Sequence, residues 1–397
     1  MVITPKVELS RRTGALQERL VASGIDGALI VDNVNLFYFS GTVQQAFLFV
    51  PAEGETLLFV RKNPDRVKNE SFLDQIIPVK GIRQLRERLS DFGYRRIARL
   101  GLELDVLPVN HYFRYLRELT PGEIVDVWPA VQTVRTVKSE YEIGLMRKAA
   151  VLADHIVEAA RCFLREGISE IELVAEVEKA ARSRGHQGLV RMRGFNREVY
   201  WGHLVSGPDA ADPSFIDFAT GGRGLTTAFP SGSGWRMIQQ HDPVMVDLAA
   251  GLNGYIADES RTLCLGGLSE RLDHAYRVAR EIEGVLEAMI RPGIEAGAIF
   301  AEAERIATAH GLEGHFMGYG SQKAGFVGHG IGLELNELPV FMPANTMVLE
   351  KRMVCALEPK FTFPDEGVVG VEDVFVVTEE GSEKLTSASY DPMVKGL

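Results

Sequence analysis

Two stretches of the chain run through the same order of elements, a helix, a second helix and then strands, and this internal duplication constrains the fold more than any other feature of its 397 residues. The first block opens at Ser139-Glu-Tyr-Glu142, which reads as a capping box: the serine side chain accepts from the third helical N–H while the glutamate reaches back to the serine N–H. A helix from 140 to about 164 is predicted, closed by Gly167. Ser169-Glu-Ile-Glu172 repeats the signal before a helix ending near Arg184-Gly185, and strands are expected at 244–250, 254–257 and 262–265. Downstream come a helix at 270–291, the breaker Pro292-Gly293, a helix at 298–310, and strands at 353–358, 368–372 and 373–378. Residues 133–397 are therefore expected to form one duplicated α+β domain.

Residues 1–132 follow a different rule, alternating a helix at 7–23, strands at 27–32, 47–51 and 56–61, a helix at 82–92, a strand at 97–103, a helix at 108–119 and a strand at 123–127. That pattern predicts a separate α/β domain with its own core. The segment 201–235 is rich in Gly, Pro, Ser, Thr and Phe with little periodicity, and reads as long loops near a site. Lys and Arg total 43 against 54 Asp and Glu, and no basic cluster interleaved with aromatics occurs, which argues against a nucleic-acid partner. No apolar run approaches the ~20 residues of a membrane span, and the N-terminus lacks the basic start, apolar run and cleavage site of a signal peptide. A cytoplasmic protein is expected. Cys162, Cys264 and Cys355 are widely spaced among apolar neighbours and are expected as small buried core residues rather than disulfides, zinc ligands or nucleophiles.

The chemistry concentrates in five positions. Asp247 ends the apolar run Pro243-Val-Met-Val-Asp247, and Asp258 follows after the turn Gly251-Leu-Asn-Gly254, so the two acids can face one side of a hairpin. Glu358 in Ala356-Leu-Glu-Pro359 and Glu372 in Gly370-Val-Glu-Asp-Val374 repeat the arrangement in the second block. His329, within Gly328-His-Gly-Ile-Gly332, adds a neutral nitrogen where the glycines permit close backbone approach. Four converging carboxylates are very costly to bury without cations, and two divalent ions would balance them. Oxygen-rich ligation with one imidazole suits Mn²⁺, Co²⁺, Fe²⁺ or Zn²⁺ and leaves room for a bridging hydroxide. Each residue singly also suits an ordinary capping or turn role; the combination carries the reading.

With the supporting words Asp258-Glu-Ser-Arg-Thr262 and His329-Gly-Ile-Gly-Leu-Glu334, the chain resembles the M24 metallopeptidases, and its spacings are most similar to prolidase. The likeness extends to Asn35-Leu-Phe-Tyr-Phe-Ser-Gly41 in a creatinase-type N-terminal domain and to the lead-in from Val134 to Lys148. It implies a creatinase-like α/β domain over 1–132, a pita-bread catalytic domain over 133–397 and a homodimer. It further implies a pair of divalent ions, Mn²⁺ first among them, with Asp247 on one, His329 and Glu358 on the other, Asp258 and Glu372 bridging, and Glu358 taking the proton from the attacking water. Two departures stand out. The family histidine about 17 residues before the first Asp falls at Pro230, and the histidine of the His-Glu pair after the metal histidine is Asn336, followed by Glu337. In the family those histidines bind substrate and stabilise the tetrahedral intermediate or help protonate the leaving nitrogen.

The resemblance thus implies a metal-dependent hydrolase of Xaa-Pro dipeptides or of N-terminal Xaa-Pro bonds in short peptides. Asn336 is expected to support the oxyanion, Glu337 to contact substrate or orient its neighbours, Arg261 to order a carboxylate, and His203 to take over from a missing histidine. Two alternatives stay open: non-peptidase chemistry on the same scaffold, as a C–N hydrolase or lyase acting on a small molecule, or a non-catalytic metal-containing binding protein.

Overall fold

The computed structural model describes residues 2–394. It divides into two compact units, Met1–Arg135 with Gly194–Asn196, and Thr136–Arg193 with Arg197–Leu397.

The N-terminal unit is built on six strands in the order Gln75–Pro78, Leu57–Val60, Ala46–Pro51, Gly27–Ile30, Arg99–Leu102, Glu123–Asp126. The central pair is antiparallel, while both edge strands add in parallel. Gly27–Ile30, Leu57–Val60 and the last three residues of Arg99–Leu102 are buried, which is why they read as continuous apolar runs without alternation. Leu29, Phe49, Phe59, Leu100 and Leu102 form the core with Leu85, Leu89 and Leu119 from the helices; full burial of each such side chain contributes about 1.5–3 kcal/mol. The helices Asn33–Ser40 and Trp128–Thr136 were not foreseen. Asn33–Ser40 is buried at six of its eight positions, so no polar face marks its period, and only Asp32, which accepts from Val34 N and Asn35 N, signals its start.

One acid of this unit is buried deliberately. Glu103 accepts from Val31 N at 2.8 Å, Asp32 N at 2.9 Å and Asn35 Nδ2 at 2.6 Å, and Asn35 Oδ1 accepts from Arg135 Nη1 at 2.7 Å. Burial, reinforced by the charge of Asp32, pushes the Glu103 carboxyl up from 4.5 to about 7. An acid raised in the folded state holds its proton more tightly there than when unfolded. Its contribution is therefore full below about 4.5 and is lost as pH rises through about 7. Unfolding free energy is expected to fall by a few kcal/mol across that window, at about 1.4 kcal/mol per unit. Glu103→Gln should flatten the slope in urea titrations at about pH 5 and about pH 8; an unchanged slope would assign it to other groups.

In the C-terminal unit the predicted duplication is present: helices Glu140–Phe163 and Glu170–Ser183 precede one set of strands, and Glu270–Met289 and Ala296–Ala309 precede another. Both capping boxes form, at Ser139 with Glu142 and at Ser169 with Glu172. The first helix ends at Phe163, with Leu164 already extended and Gly167 at φ 73°. The main sheet runs Glu337–Val340, Gly328–Gly330, Val354–Leu357, Gly367–Val377, Ser260–Leu265, Val244–Leu248, Gly202–Ser206, all antiparallel. Ile282, Leu286, Ile299 and Phe300 from the second helix pair pack with Val371 and Phe375 beneath it.

Three expectations need correction. The two strands expected across 368–378 are one strand, Gly367–Val377, buried at all eleven positions, and Glu372-Asp373 lies in its middle because the site and a buried ion-pair cluster solvate the acids. The 201–235 loops contain the strand Gly202–Ser206, hidden from the pattern by a neutral buried histidine and flanking glycines. Cys162 is exposed on Glu140–Phe163, off the stripe set by Met146, Ala149, Ala153 and Ile156; Cys264 and Cys355 are buried as expected. Among the described residues no helix is long and apolar enough to cross a membrane.

Candidate metal centre

Strand register assembles the site. His203, Asp247, Ser260 and Glu372 are successive cross-strand partners on four neighbouring strands, so they form one row on one face. Ser260, rather than Asp258, lies directly opposite Asp247; Asp258 stands two residues earlier and shares its face. His329 sits at the centre of Gly328–Gly330, and Glu358 directly follows Val354–Leu357. The glycines beside His329 are required by packing. A Cβ on Gly328 would lie 2.3 Å from Ala356 O, and one on Gly330 would lie 2.0 Å from Leu338 O.

Asp258, His329 and Glu372 each present a ligand atom within 4.8 Å of the others. His329 Nε2 is 3.6 Å from Glu358 Oε1 and 4.0 Å from Glu372 Oε1. Its Nδ1 lies 3.1 Å from Gly330 O, and donation there leaves the Nε2 lone pair facing the carboxylates. Glu372 Oε1 is buried without a hydrogen-bond partner among the described residues. Burial, then the charge of Asp247, pushes Asp258 well above the usual carboxylate range; burial, then the charge of Asp258, does the same to Glu372. An orphaned acceptor, a free imidazole lone pair and two crowded acids fit one divalent ion.

Sequence reasoning missed the cation already present. Lys360 Nζ lies 2.8 Å from Glu358 Oε2, 2.9 Å from Glu372 Oε2 and 3.1 Å from Asp247 Oδ2, and its side chain is 1% exposed. Burial alone would lower this ammonium, but Asp247, Glu358 and Glu372 outweigh it and raise it well above its ordinary value. Asp247 Oδ2 accepts from Thr220 Oγ1 at 2.7 Å and from Lys360, while Ser260 Oγ, with one proton to give, lies 2.8 Å from Asp247 Oδ1 and 2.7 Å from Glu372 Oε2. Burial pushes Asp247 upward, yet Lys360, His203 and these hydroxyls together hold it at about 2. A signal was available: in an extended chain Lys360 points to the same face as Glu358 two residues before it.

The other expected site residues divide. His203 is buried in the row, its Nδ1 2.7 Å from Thr220 Oγ1 and its Nε2 2.8 Å from Ser231 Oγ. Thr220 spends its proton on Asp247, so His203 Nδ1–H donates to Thr220 and Ser231 donates to Nε2. Burial lowers the imidazole to about 4, which keeps it neutral at pH 7. Ser231 follows Pro230, so His203 is tied to the residue next to Pro230. Asn336 does not face the cluster: Oδ1 accepts from Arg193 N at 2.7 Å and Nδ2 donates to Arg193 O at 2.9 Å, because the amide matches both backbone groups of a neighbouring segment. Glu337 likewise serves the chain, accepting from Leu333 N, Glu334 N and Lys138 Nζ. Arg261 grips no ligand carboxylate; its Nη1 donates to Glu372 O and Ser260 O, and its Nη2 pairs with Asp373 and Glu259.

Comparison with known proteins places this geometry in context. Residues 144–379 match the model of "Metallopeptidase family M24", and residues 12–137 match "Creatinase/Prolidase N-terminal domain". The chain is 30% identical to an uncharacterized peptidase of Bacillus subtilis, over 94% of this chain and 96% of the relative. It is 28% identical to an Xaa-Pro dipeptidase of Pyrococcus horikoshii, over 96% and 99%. Among solved structures, the prolidase from Pyrococcus horikoshii OT3 superposes with a TM-score of 0.80 at 25% identity, covering 96% of this chain and 99% of that one. An Xaa-Pro dipeptidase from Bacillus anthracis superposes with a TM-score of 0.83 at 23% identity over 98% and 100%, which speaks to the fold alone.

Proposed function

The chain belongs to metallopeptidase family M24, with the creatinase-like and pita-bread domains of that family, and from that premise we propose that it is a metal-dependent hydrolase of Xaa-Pro dipeptides or of N-terminal Xaa-Pro bonds in short peptides. The observation that carries the reading is the convergence of Asp258, His329 and Glu372, beside Glu358, around an orphaned buried oxygen. A divalent ion held there, with Mn²⁺ the first to test, supplies Lewis-acid polarisation of the scissile carbonyl and lowers the pKa of water. Glu358 turns Oε2 to Lys360 and Oε1 toward the His329 side, where that oxygen takes the proton of the attacking water. Neutral His203, held by Thr220 and Ser231, keeps a polar edge beside the cluster, and Trp201, Phe218 and Leu335 line the same cavity. The proline preference is drawn from the Pyrococcus relative, and the homodimer from the family resemblance.

One observation favours a second reading. Asn336 spends its amide on Arg193 and an amide has no acidic proton to give, so on the reading that Pro230 and Asn336 stand where the family resemblance expects histidines, a leaving amine would lack its usual proton donor. Hydrolysis of a non-peptide C–N bond with a better leaving group would suit that site. The test is product analysis on a panel of Xaa-Pro dipeptides, Xaa-Pro-Yaa tripeptides and small non-peptide amides, using metal-stripped protein reconstituted with Mn²⁺, Co²⁺ or Zn²⁺. Metal-dependent cleavage of the peptides is expected. Turnover of the non-peptide amides alone would move the assignment to the second reading, and no turnover with metal bound would leave a binding protein.

A further inference from the structure

The family resemblance implies two divalent ions, and the structure disagrees with the second. The cluster is split into two faces. On one, Asp247 Oδ2, Glu358 Oε2 and Glu372 Oε2 all lie within 3.1 Å of Lys360 Nζ. On the other, Glu358 Oε1 and Glu372 Oε1 face His329 Nε2 at 3.6 and 4.0 Å. Glu358 and Glu372 therefore offer one oxygen to an ammonium and turn the other toward His329.

We propose that Lys360 takes the place of one of the two divalent cations, so that the centre binds a single metal ion per chain, at Asp258, His329 and Glu372. The inference rests on the metal-dependent reading above and specifies how many ions that site holds.

Three observations carry it. An ammonium 2.8–3.1 Å from three carboxylates stands where a divalent ion bridging the same oxygens would have to sit, and two cations cannot share that space. Asp247, which the resemblance assigns to the other ion, has its Oδ2 taken by two protein donors, Thr220 Oγ1 and Lys360 Nζ. The free volume within the cavity bordered by Asp247, Asp258, His329, Glu358 and Glu372 is about 20 Å³, close to the ~10–15 Å³ that a single water-sized sphere requires.

The lysine is also housed by the fold. Lys360 pairs across the sheet with Gly370. A Cβ on Gly370 would lie 2.6 Å from Lys360 Cγ and 2.8 Å from its Cα, so the absent side chain at 370 opens the lane by which the lysine stem runs inward. At 1% exposure, with its stem in that lane, the ammonium cannot swing aside without leaving three buried carboxylates uncompensated. Lys360 is a positioning residue here: it fixes Glu358 and Glu372 so that their second oxygens face the His329 side, Glu372 toward the remaining ion and Glu358 beside it.

The test is metal stoichiometry. The full chain is stripped, saturated with Mn²⁺ or Zn²⁺, dialysed and analysed by elemental mass spectrometry, and the ions are located by anomalous diffraction. One ion per wild-type chain is expected, none in His329→Ala, and two in Lys360→Ala, a twofold rise. A wild-type chain that takes up two ions overturns the inference while leaving the metal-dependent reading intact. A wild-type chain that takes up none overturns both. If Lys360→Ala does not fold without metal, the wild-type count and the anomalous map decide alone, since one peak on the His329 side supports the proposal and a second peak at the Nζ position refutes it.

Discussion

His329→Ala and Asp258→Ala are each expected to abolish metal retention and to lower kcat/KM toward the best-cleaved substrate by about 10³ or more, the scale set by loss of preorganised electrostatic stabilisation. His329 brings the imidazole nitrogen to the Asp258, His329 and Glu372 group, and its Nε2 lone pair is kept available by the contact of Nδ1 with Gly330 O. Without it, the nitrogen that stands 3.6 Å from Glu358 Oε1 and 4.0 Å from Glu372 Oε1 is gone, and the ion loses one of its three ligands. Asp258 is crowded by burial and by Asp247, so its charge is the one least matched by Lys360 and most in need of a metal. Both substitutions leave the Lys360 contacts in place, so the thermal midpoint of the metal-free protein should change little. A variant that retained metal and activity within tenfold of wild type would place the reacting centre elsewhere.

Arg261→Met is expected to give the largest loss of stability. The guanidinium is fully buried, with Nη2 2.8 Å from Asp373 and 2.9 Å from Glu259, Nη1 2.8 Å from Glu372 O, Nε 3.1 Å from Ala388 O, and the Tyr390 ring 4.2 Å away. Removing it leaves two carboxylates buried beside a third, Glu283, which Tyr390 Oη contacts at 2.9 Å. Breaking such a pair from one side costs about 3–5 kcal/mol, or a fall of roughly 10 °C in Tm at about 2–4 °C per kcal/mol for a domain of this size. The loss should be smaller in acid. Burial already pushes Glu259 and Glu283 well above the usual range, so their protonated forms are favoured in the folded state, and that contribution is present at low pH and disappears as pH rises. Because Arg261 also holds the Glu372 carbonyl, metal affinity should drop about 10–100-fold. Scanning calorimetry at about pH 5 and about pH 8, with a metal titration, checks both effects; a Tm within 2 °C of wild type would mean the acids find other partners.

Much of this was legible in one dimension. Ser139 with Glu142 and Ser169 with Glu172 announce helices because a capping box is local, satisfying N–H groups within one turn. The duplicated order of helices and strands follows from hydrophobic period alone. Where burial surrounds an element the period vanishes, and for that reason Asn33–Ser40 and Gly202–Ser206 passed unnoticed and Gly367–Val377 read as two strands.

The candidate site divides in the same way. The residue types Asp247, Asp258, His329, Glu358 and Glu372, and the glycines around the histidine, were set by the sequence itself, since their chemistry and spacing point to a cation without reference to a partner strand. Which cation each oxygen meets was decided only by tertiary structure. Lys360 lies two residues from Glu358 and shares its face, yet whether its stem runs inward depends on Gly370 standing opposite it across a strand pair. Asn336 and Glu337 are similarly redirected, one to Arg193 and the other to Lys138 and the Leu333–Glu334 backbone. Cross-strand register joins residues by hydrogen bonds that chain order does not encode locally, and at this centre that register determines which charge sits between the carboxylates.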